Sequence, residues 1–196
     1  MLTHALPLPD WQDPDADAPG RIVLAGGCFW CVEGVYRELA GVQSVVSGYA
    51  GGRREEADYR TVCSGTTNHA EAVELRYDPK NLQFGEILQV FFGVAHDPTQ
   101  RDRQGNDVGR QYRSAIFFVH DAQADMTRAY IAQLEKEGSF AQPIVTEIEP
   151  LAAFYPAEGY HQDYARRNPQ QPYICAVAQP KIQALATIFP QYRRKA

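Results

Sequence analysis

The sequence has no apolar run approaching the roughly 18 residues that a membrane-spanning helix needs. It also lacks a surplus of positive charge. Its 196 residues hold 19 Lys and Arg against 24 Asp and Glu, a formal charge of −5, which argues against the phosphate backbone of a nucleic acid as ligand. No glycine-rich dinucleotide fingerprint and no phosphate-binding loop are present, so neither motif points to a bound nucleotide. Cysteine is limited to four residues, Cys28, Cys31, Cys63 and Cys175, and in a reducing cytosol these are expected as thiols rather than structural disulfides. The apolar share of 44% and charged share of 22% are those of an ordinary globular chain, and the length suits one domain rather than two. The first 20 residues have neither the basic start nor the apolar stretch of a signal peptide. With Pro7, Pro9, Pro14 and Pro19 among acidic residues, they read as a loose N-terminal arm, residues 1–20, ahead of a single domain, residues 21–196. A cytoplasmic setting and a monomer are expected.

Arg21 to Ala25 reads as a short buried strand. Gly26-Gly27 interrupts it, and Cys28 to Leu39 then follows a helical pattern with Trp30, Val35 and Leu39 inward. Val45 to Ala50 is a second strand candidate. Glu71 to Tyr77 alternates, with Val73, Leu75 and Tyr77 on one face and Ala72, Glu74 and Arg76 on the other, which predicts a half-buried strand. Phe84, Ile87, Leu88, Phe91, Phe92 and Ala95 fall at helical spacing. Residues 96–113 form a long polar segment, and a loop of that length in a compact domain is usually functional or mobile. Ser114 to His120 predicts a strand, Asp121 a cap on a helix running to about Glu137, and Ile144 to Ile148 a further strand. From Phe154 onward the chain is aromatic and irregular up to a short helix near Lys181 to Phe189. Alternating strands and helices predict an α+β or α/β arrangement, with helices packed on a mixed sheet.

The segment Gly26-Gly27-Cys28-Phe29-Trp30-Cys31 carries the most chemistry. A cysteine at a helix N-terminus faces unpaired backbone N–H groups and the positive end of the helix dipole. Both favour thiolate over thiol, and the thiolate is the nucleophile. Phe29 and Trp30 can form an apolar wall against a small hydrophobic group. The plainer alternative is a small buried residue in a tight turn, since free cysteine is commonly buried. Cys31 completes a CxxC, a spacing that lets two sulfurs meet in the first turn of a helix and exchange as a disulfide. Cys63 and His69 could instead complete a zinc site, although two aromatic residues between Cys28 and Cys31 are unusual for a zinc knuckle.

GGCFWC resembles the signature of the class A peptide methionine sulfoxide reductases, which act on the S epimer. Tyr59 to Gly65 (YRTVCSG), His69 to Val73 (HAEAV), His96-Asp97-Pro98, Gly105 to Ser114 (GNDVGRQYRS) and Tyr160 to Tyr164 (YHQDY) resemble further blocks of that family, in its order, over residues 21 to about 183. The resemblance implies an α+β fold: a mixed sheet with packed helices, a ferredoxin-like core and a long irregular C-terminal region.

It also implies a reaction. A thiolate that attacks a sulfoxide sulfur needs the oxygen to take up a proton, hydrogen-bond donors aimed at that oxygen, and an apolar slot for the methyl group. The resemblance assigns Cys28 as nucleophile, Glu71 as acid, Tyr59 and Tyr112 as hydroxyl donors, Asp107 as a site aspartate, and Phe29 and Trp30 as the methyl pocket. A carboxyl among aromatic neighbours would have its pKa raised by desolvation. Taken singly, Glu71 also reads as a solvated strand-end charge, the tyrosines as half-buried aromatics and Asp107 as a loop turn. The product at Cys28 would be a sulfenic acid. Either Cys31 or Cys175 could resolve it as a disulfide. Cys31 is favoured as the first, because Cys175 is displaced by one residue from the family's commonest position, where Ile174 stands. A thioredoxin-type partner would reduce the disulfide, with no cofactor and no metal. Cys63 is expected to be structural. His69, His96 and His161 are expected to hold loops through their ring nitrogens.

Overall fold

The computed structural model describes residues 4–11 and 19–194. Strand β1 (Gly20–Gly26) is the predicted RIVLA strand, buried from Ile22 inward. It leads through Gly27 into helix α1 (Phe29–Arg37). Phe29, Val32, Val35, Tyr36 and Leu39 are all buried, a stripe at helical spacing that seats α1 on the sheet. Trp30, expected inward, is only partly buried. Strands β2 (Val42–Ala50) and β3 (Ala70–Tyr77) pair antiparallel, as do β1 and β3. The short helix α2 (Tyr59–Cys63) lies between β2 and β3, and the Asp58 carboxylate caps it by accepting the Thr61 N–H at 3.0 Å.

The helix predicted from Phe84 is α only through Val90 (α3, Phe84–Val90) and continues as one π-helical turn, Phe91–Ala95. The polar segment after it contains a two-stranded hairpin, β4 (Arg103–Gln104) with β5 (Asp107–Val108), and a 3-10 turn at Arg110–Tyr112. Strand β6 (Ser114–Phe118) pairs antiparallel with β1. The next helix, α4 (Asp121–Lys136), has His120 rather than Asp121 at its N-cap. Strand β7 (Glu147–Pro150) lies three residues later than predicted and pairs parallel with β6, while β8 (Phe154–Pro156) adds to the β2 edge. The C-terminal part holds α5 (Tyr164–Arg167), a π-helical turn at Ile174–Ala178 and α6 (Gln179–Ile188).

The six-stranded sheet runs β7-β6-β1-β3-β2-β8. Its central order β6-β1-β3-β2, built from β1-α1-β2 and β3-α3-β6, is the ferredoxin-like core that the resemblance implied. The main core lies under the helices, between Leu24, Val73, Leu75, Ile116 and the apolar faces of α1 and α3. A smaller cluster on the other face, Val23, Ala25, Ala50, Ala72, Ala115 and Phe117, is covered by Leu151 and Phe154. This explains why Ala72 is buried although the alternation in β3 placed it outward.

The arm is not uniformly loose. Leu6 is buried, Tyr130 Oη donates to the Pro7 carbonyl at 2.7 Å, and Trp11 stacks on Phe84. The rest of the predicted arm, 1–3 and 12–18, lies outside the described residues. No helix among the described residues is long and apolar enough to cross a membrane.

Candidate active site

Gly27 has φ +89°, and a Cβ there would lie 2.6 Å from the Gln104 side chain. The position therefore demands glycine for both conformation and space. This turn delivers Cys28 to the N-cap of α1, with only 9% of its surface exposed. Glu71 stands near the start of β3 and is 2% exposed, and its Oε2 accepts the backbone N–H of Phe29 at 3.0 Å. The first orphan donor of the helix is thus taken by this carboxyl and not by the Cys28 sulfur.

Cys28, Phe29, Trp30, Tyr59, Glu71, Asp107, Tyr112 and Tyr173 line one cavity of about 180 Å³. Every candidate for nucleophile, acid, hydroxyl donor and methyl pocket meets there, from β3, α1, α2, the hairpin and the 3-10 turn. Phe29 stacks on Tyr59 with centroids 6.4 Å apart and lies 5.0 Å from the His161 ring. Trp30 stacks flat on Tyr164 at 3.9 Å, and its indole N–H donates to His161 Nδ1 at 3.1 Å. Burial lowers the His161 pKa, which suits a neutral ring with Nδ1 free to accept. Glu158 joins β2 to α2 by accepting from Tyr49 Oη and from the Tyr59 backbone N–H, both at 2.9 Å. Tyr112 is carried next to Arg113, a buried guanidinium that donates to Glu147 at 2.9 Å.

Electrostatically, Glu71 is the outlier. Burial pushes its carboxyl up to about 8, against the opposing pull of the Phe29 N–H. It is therefore protonated at neutral pH, as desolvation among aromatic neighbours led us to expect. Burial likewise raises Tyr59 and Tyr112, which remain neutral hydroxyls. The expectation for Cys28 is corrected. Its thiol is pushed up, first by burial, then by hydrogen bonding to Cys31 and by the adjacent Glu71. The same hydrogen bond holds Cys31 down. Desolvation outweighs the helix N-terminus at Cys28, and the Phe29 N–H is committed to Glu71.

Cys31 is 1% exposed and its thiol faces Tyr173 Oη at 3.9 Å, which in turn donates to Asp107 Oδ2. Asp107 thus accepts from the hydroxyl of Tyr173, a residue that sequence reasoning passed over. The signal was there in the PYIC segment, where Tyr173 stands two residues before a cysteine. His161 and Tyr164, which hold Trp30, stand inside the YHQDY block. Cys175 is exposed, outside the cavity, with its thiol 3.1 Å from the Pro169 carbonyl, while its neighbour Ile174 is buried.

Cys63 is half-buried, with its sulfur 3.9 Å from Glu71 Oε1. His69 Nε2 bonds the Arg53 carbonyl at 2.9 Å, and among the described residues no group of three or more His, Cys, Asp or Glu side chains is placed to hold a metal ion. His96 is a neutral buried ring, its pKa lowered to about 3 by burial. Its Nδ1–H donates to the Phe91 carbonyl at 3.0 Å, and its Nε2 accepts from Ser114 Oγ at 2.6 Å.

Residues 20–192 match the family model described as peptide methionine sulfoxide reductase. Among similar sequences, peptide methionine sulfoxide reductase MsrA 2 of Mesorhizobium japonicum is 50% identical, over 88% of this chain and 90% of the relative. The MsrA of Natronomonas pharaonis is 52% identical, over 86% of this chain and 94% of the relative. Among solved structures, reduced Mxr1 from Saccharomyces cerevisiae superposes with a TM-score of 0.70 at 35% identity, covering 83% of this chain and 92% of that one. Methionine sulfoxide reductase A of Corynebacterium diphtheriae gives 0.69 at 38% identity, covering 80% and 78%. The chain belongs to the peptide methionine sulfoxide reductase family, in its MsrA class, and is an oxidoreductase of that activity.

Proposed function

We propose that the Cys28 cavity reduces the S epimer of methionine sulfoxide, free or in proteins, by thiol attack at the sulfoxide sulfur. The observation that carries this reading is a protonated carboxyl, Glu71, bonded to the backbone of the residue next to the nucleophile inside one small cavity. The methyl group packs on Phe29 and Trp30, and the sulfoxide oxygen receives hydrogen bonds from Tyr59 and Tyr112. As the Cys28 sulfur bonds to the substrate sulfur, Glu71 delivers its proton to the oxygen, and the carboxylate so formed takes up the thiol proton of Cys28. The oxygen then passes to Cys28. Methionine sulfur gains two electrons, and Cys28 loses two and becomes a sulfenic acid.

Cys31 condenses with that sulfenic acid, forming the Cys28–Cys31 disulfide and releasing water. Its position one helical turn away, with its thiol held down, favours it over Cys175, which sits outside the cavity. A thioredoxin-type dithiol reduces the disulfide by exchange and regenerates both thiols. Four free thiols fit a reducing, cytoplasmic setting, and the catalytic unit is the single domain from residue 21 onward.

Mass spectrometry after one turnover tests the scheme. Wild type and Cys175→Ser should each hold a Cys28–Cys31 disulfide, and Cys31→Ser should stall as a sulfenic acid that dimedone traps. Rapid disulfide formation in Cys31→Ser, lost in Cys175→Ser, would reverse the assignment of the resolving thiol.

A further inference from the structure

We propose that the largest cavity among those described, separate from the Cys28 site, binds a small organic carboxylate with an apolar or aromatic body. This cavity, of about 340 Å³, lies between the π-helical turn after α3, the His96-Asp97-Pro98 segment and residues 139–142. Gln104 stands between the two cavities. Its side chain packs against Gly27 on one side, and its amide closes two bonds with the Asp97 backbone, at 2.9 and 2.7 Å, on the other.

The chemistry of the ligand follows from the walls. Phe92, Phe140, Pro98 and Ala141 supply apolar surface, enough to desolvate a ring or short chain. Lys181 from α6 supplies the charge. Its Nζ donates to the Ala95 carbonyl at 2.8 Å, which fixes the ammonium in the wall and leaves two of its three protons. Among the described residues Lys181 has no carboxylate ion-pair partner, although its charge also acts on the Cys31 thiol. The one carboxylate in the wall, Asp97, keeps its charge, but its oxygens are engaged by its own turn. It accepts from Thr99 N at 3.0 Å, Thr99 Oγ1 at 2.6 Å and Gln100 Nε2 at 2.9 Å. His96 is neutral and already bonded on both ring nitrogens, so it neither attracts nor repels an anion. A pinned, unpaired, partly buried ammonium at the edge of an aromatic cavity selects a carboxylate over a neutral or cationic headgroup.

Calorimetry on the full chain with phenylacetate as probe tests this site. Wild type should bind one equivalent. The neutral isostere phenylacetamide should bind roughly tenfold or more weakly, reflecting loss of the charge-assisted bond. Lys181→Met should lose affinity by a similar factor, Lys181→Arg should retain it, and Trp30→Ala should bind as wild type does. No binding to a folded wild type, equal affinity for acid and amide, unchanged affinity in Lys181→Met, or loss in Trp30→Ala would each overturn the proposal. The last outcome would place the probe in the Cys28 cavity instead. None of these readouts depends on sulfoxide reduction.

Discussion

Glu71→Gln isolates a single proton. Gln has nearly the same shape, so its amide oxygen can still accept the Phe29 N–H that Glu71 Oε2 accepts at 3.0 Å, and the N-terminus of α1 keeps its partner. What disappears is the acid. A carboxyl that titrates at about 8 is protonated in about nine molecules of ten at pH 7, so nearly all of the enzyme carries the proton that the sulfoxide oxygen needs. General acid catalysis is worth about 10²–10⁴ in rate, and kcat/KM for a methionine sulfoxide peptide should fall by that factor. Thiol–disulfide exchange with a small disulfide should persist, because it needs no acid at this position. Wild-type turnover should decline as pH rises through about 8, and the residual activity of the variant should lack that limb.

Stability gives an independent check on the same group. The folded pKa lies above the unfolded one, so between 4.5 and about 8 the folded state binds a proton that the unfolded state has released. Stability of the wild type therefore falls with rising pH across that window, by about 1.4 kcal/mol per unit, or about 3 kcal/mol by pH 7. The Gln variant has no such titration, so urea unfolding should show it gaining on the wild type between pH 5 and 8. A variant that kept more than about a third of wild-type kcat/KM, against the expected loss of at least a hundredfold, would refute the assignment of Glu71 as acid. A flat stability difference across the pH range would refute the buried, proton-bearing carboxyl itself.

Two other perturbations separate substrate binding from folding. Trp30→Phe deletes the indole N–H that donates to His161 Nδ1 at 3.1 Å and shrinks the surface stacked on Tyr164. With the methyl wall loosened, steady-state kinetics should give a KM about tenfold higher with a smaller change in kcat. An unchanged KM would remove Trp30 from the methyl pocket. Leu6→Ala empties a position that is 2% exposed and lies, with Phe189, against Gly93. Denaturant unfolding should show a loss of about 2–4 kcal/mol with kcat/KM unchanged at 25 °C. A loss under about 0.5 kcal/mol, the range of surface substitutions, would mean that the segment does not pack in solution.

Patterns of two and of 3.6 residues were readable wherever one face of an element is buried. The RIVLA strand and the strand from Glu71 form, and of the stripe expected in α1 Val35 and Leu39 are buried while Trp30 is only partly so. Failures came where tertiary partners override local pattern. Ala72 is inward because Leu151 and Phe154 cover the second face of the sheet, and no local rule sees a strand end from 80 residues away. The helix after Phe84 keeps its apolar spacing but widens into a π turn, which hydrophobic periodicity does not distinguish from α. The polar segment 96–113 read as a loop because its hairpin strands are two residues each. At the site, the resemblance named candidates for nucleophile, acid and hydroxyls, and these residues line one cavity. Tyr173 and Tyr164 escaped, and the Trp30 partner of His161 was not foreseen, because their work is to hold Asp107 and Trp30, and that role depends on contacts more than 60 residues apart in sequence.

The sharpest divergence concerns the charge on Cys28, and it alters what a reactivity experiment should find. A helix N-terminus alone predicts a thiolate. In the folded chain Cys28 is buried, the Phe29 amide serves Glu71, and burial raises the Cys28 thiol, whereas Cys175 lies exposed at the surface. A buried protonated thiol is a poor target for peroxide and for alkylating agents, since both consume thiolate. The resting enzyme would thus be protected from oxidation by the oxidants that create its substrate. Under the proposed scheme, activation would be a property of the complex. The sulfoxide, hydrogen-bonded at oxygen, would present an electron-poor sulfur next to Cys28, and the proton would leave only as the new bond forms. Iodoacetamide at neutral pH, followed by peptide mapping, should label Cys175 well before Cys28, and raising the pH should accelerate labelling of Cys28 more steeply. If Cys28 is the first cysteine modified at neutral pH, the enclosure and the raised thiol are both wrong, and the helix N-terminus governs the sulfur after all.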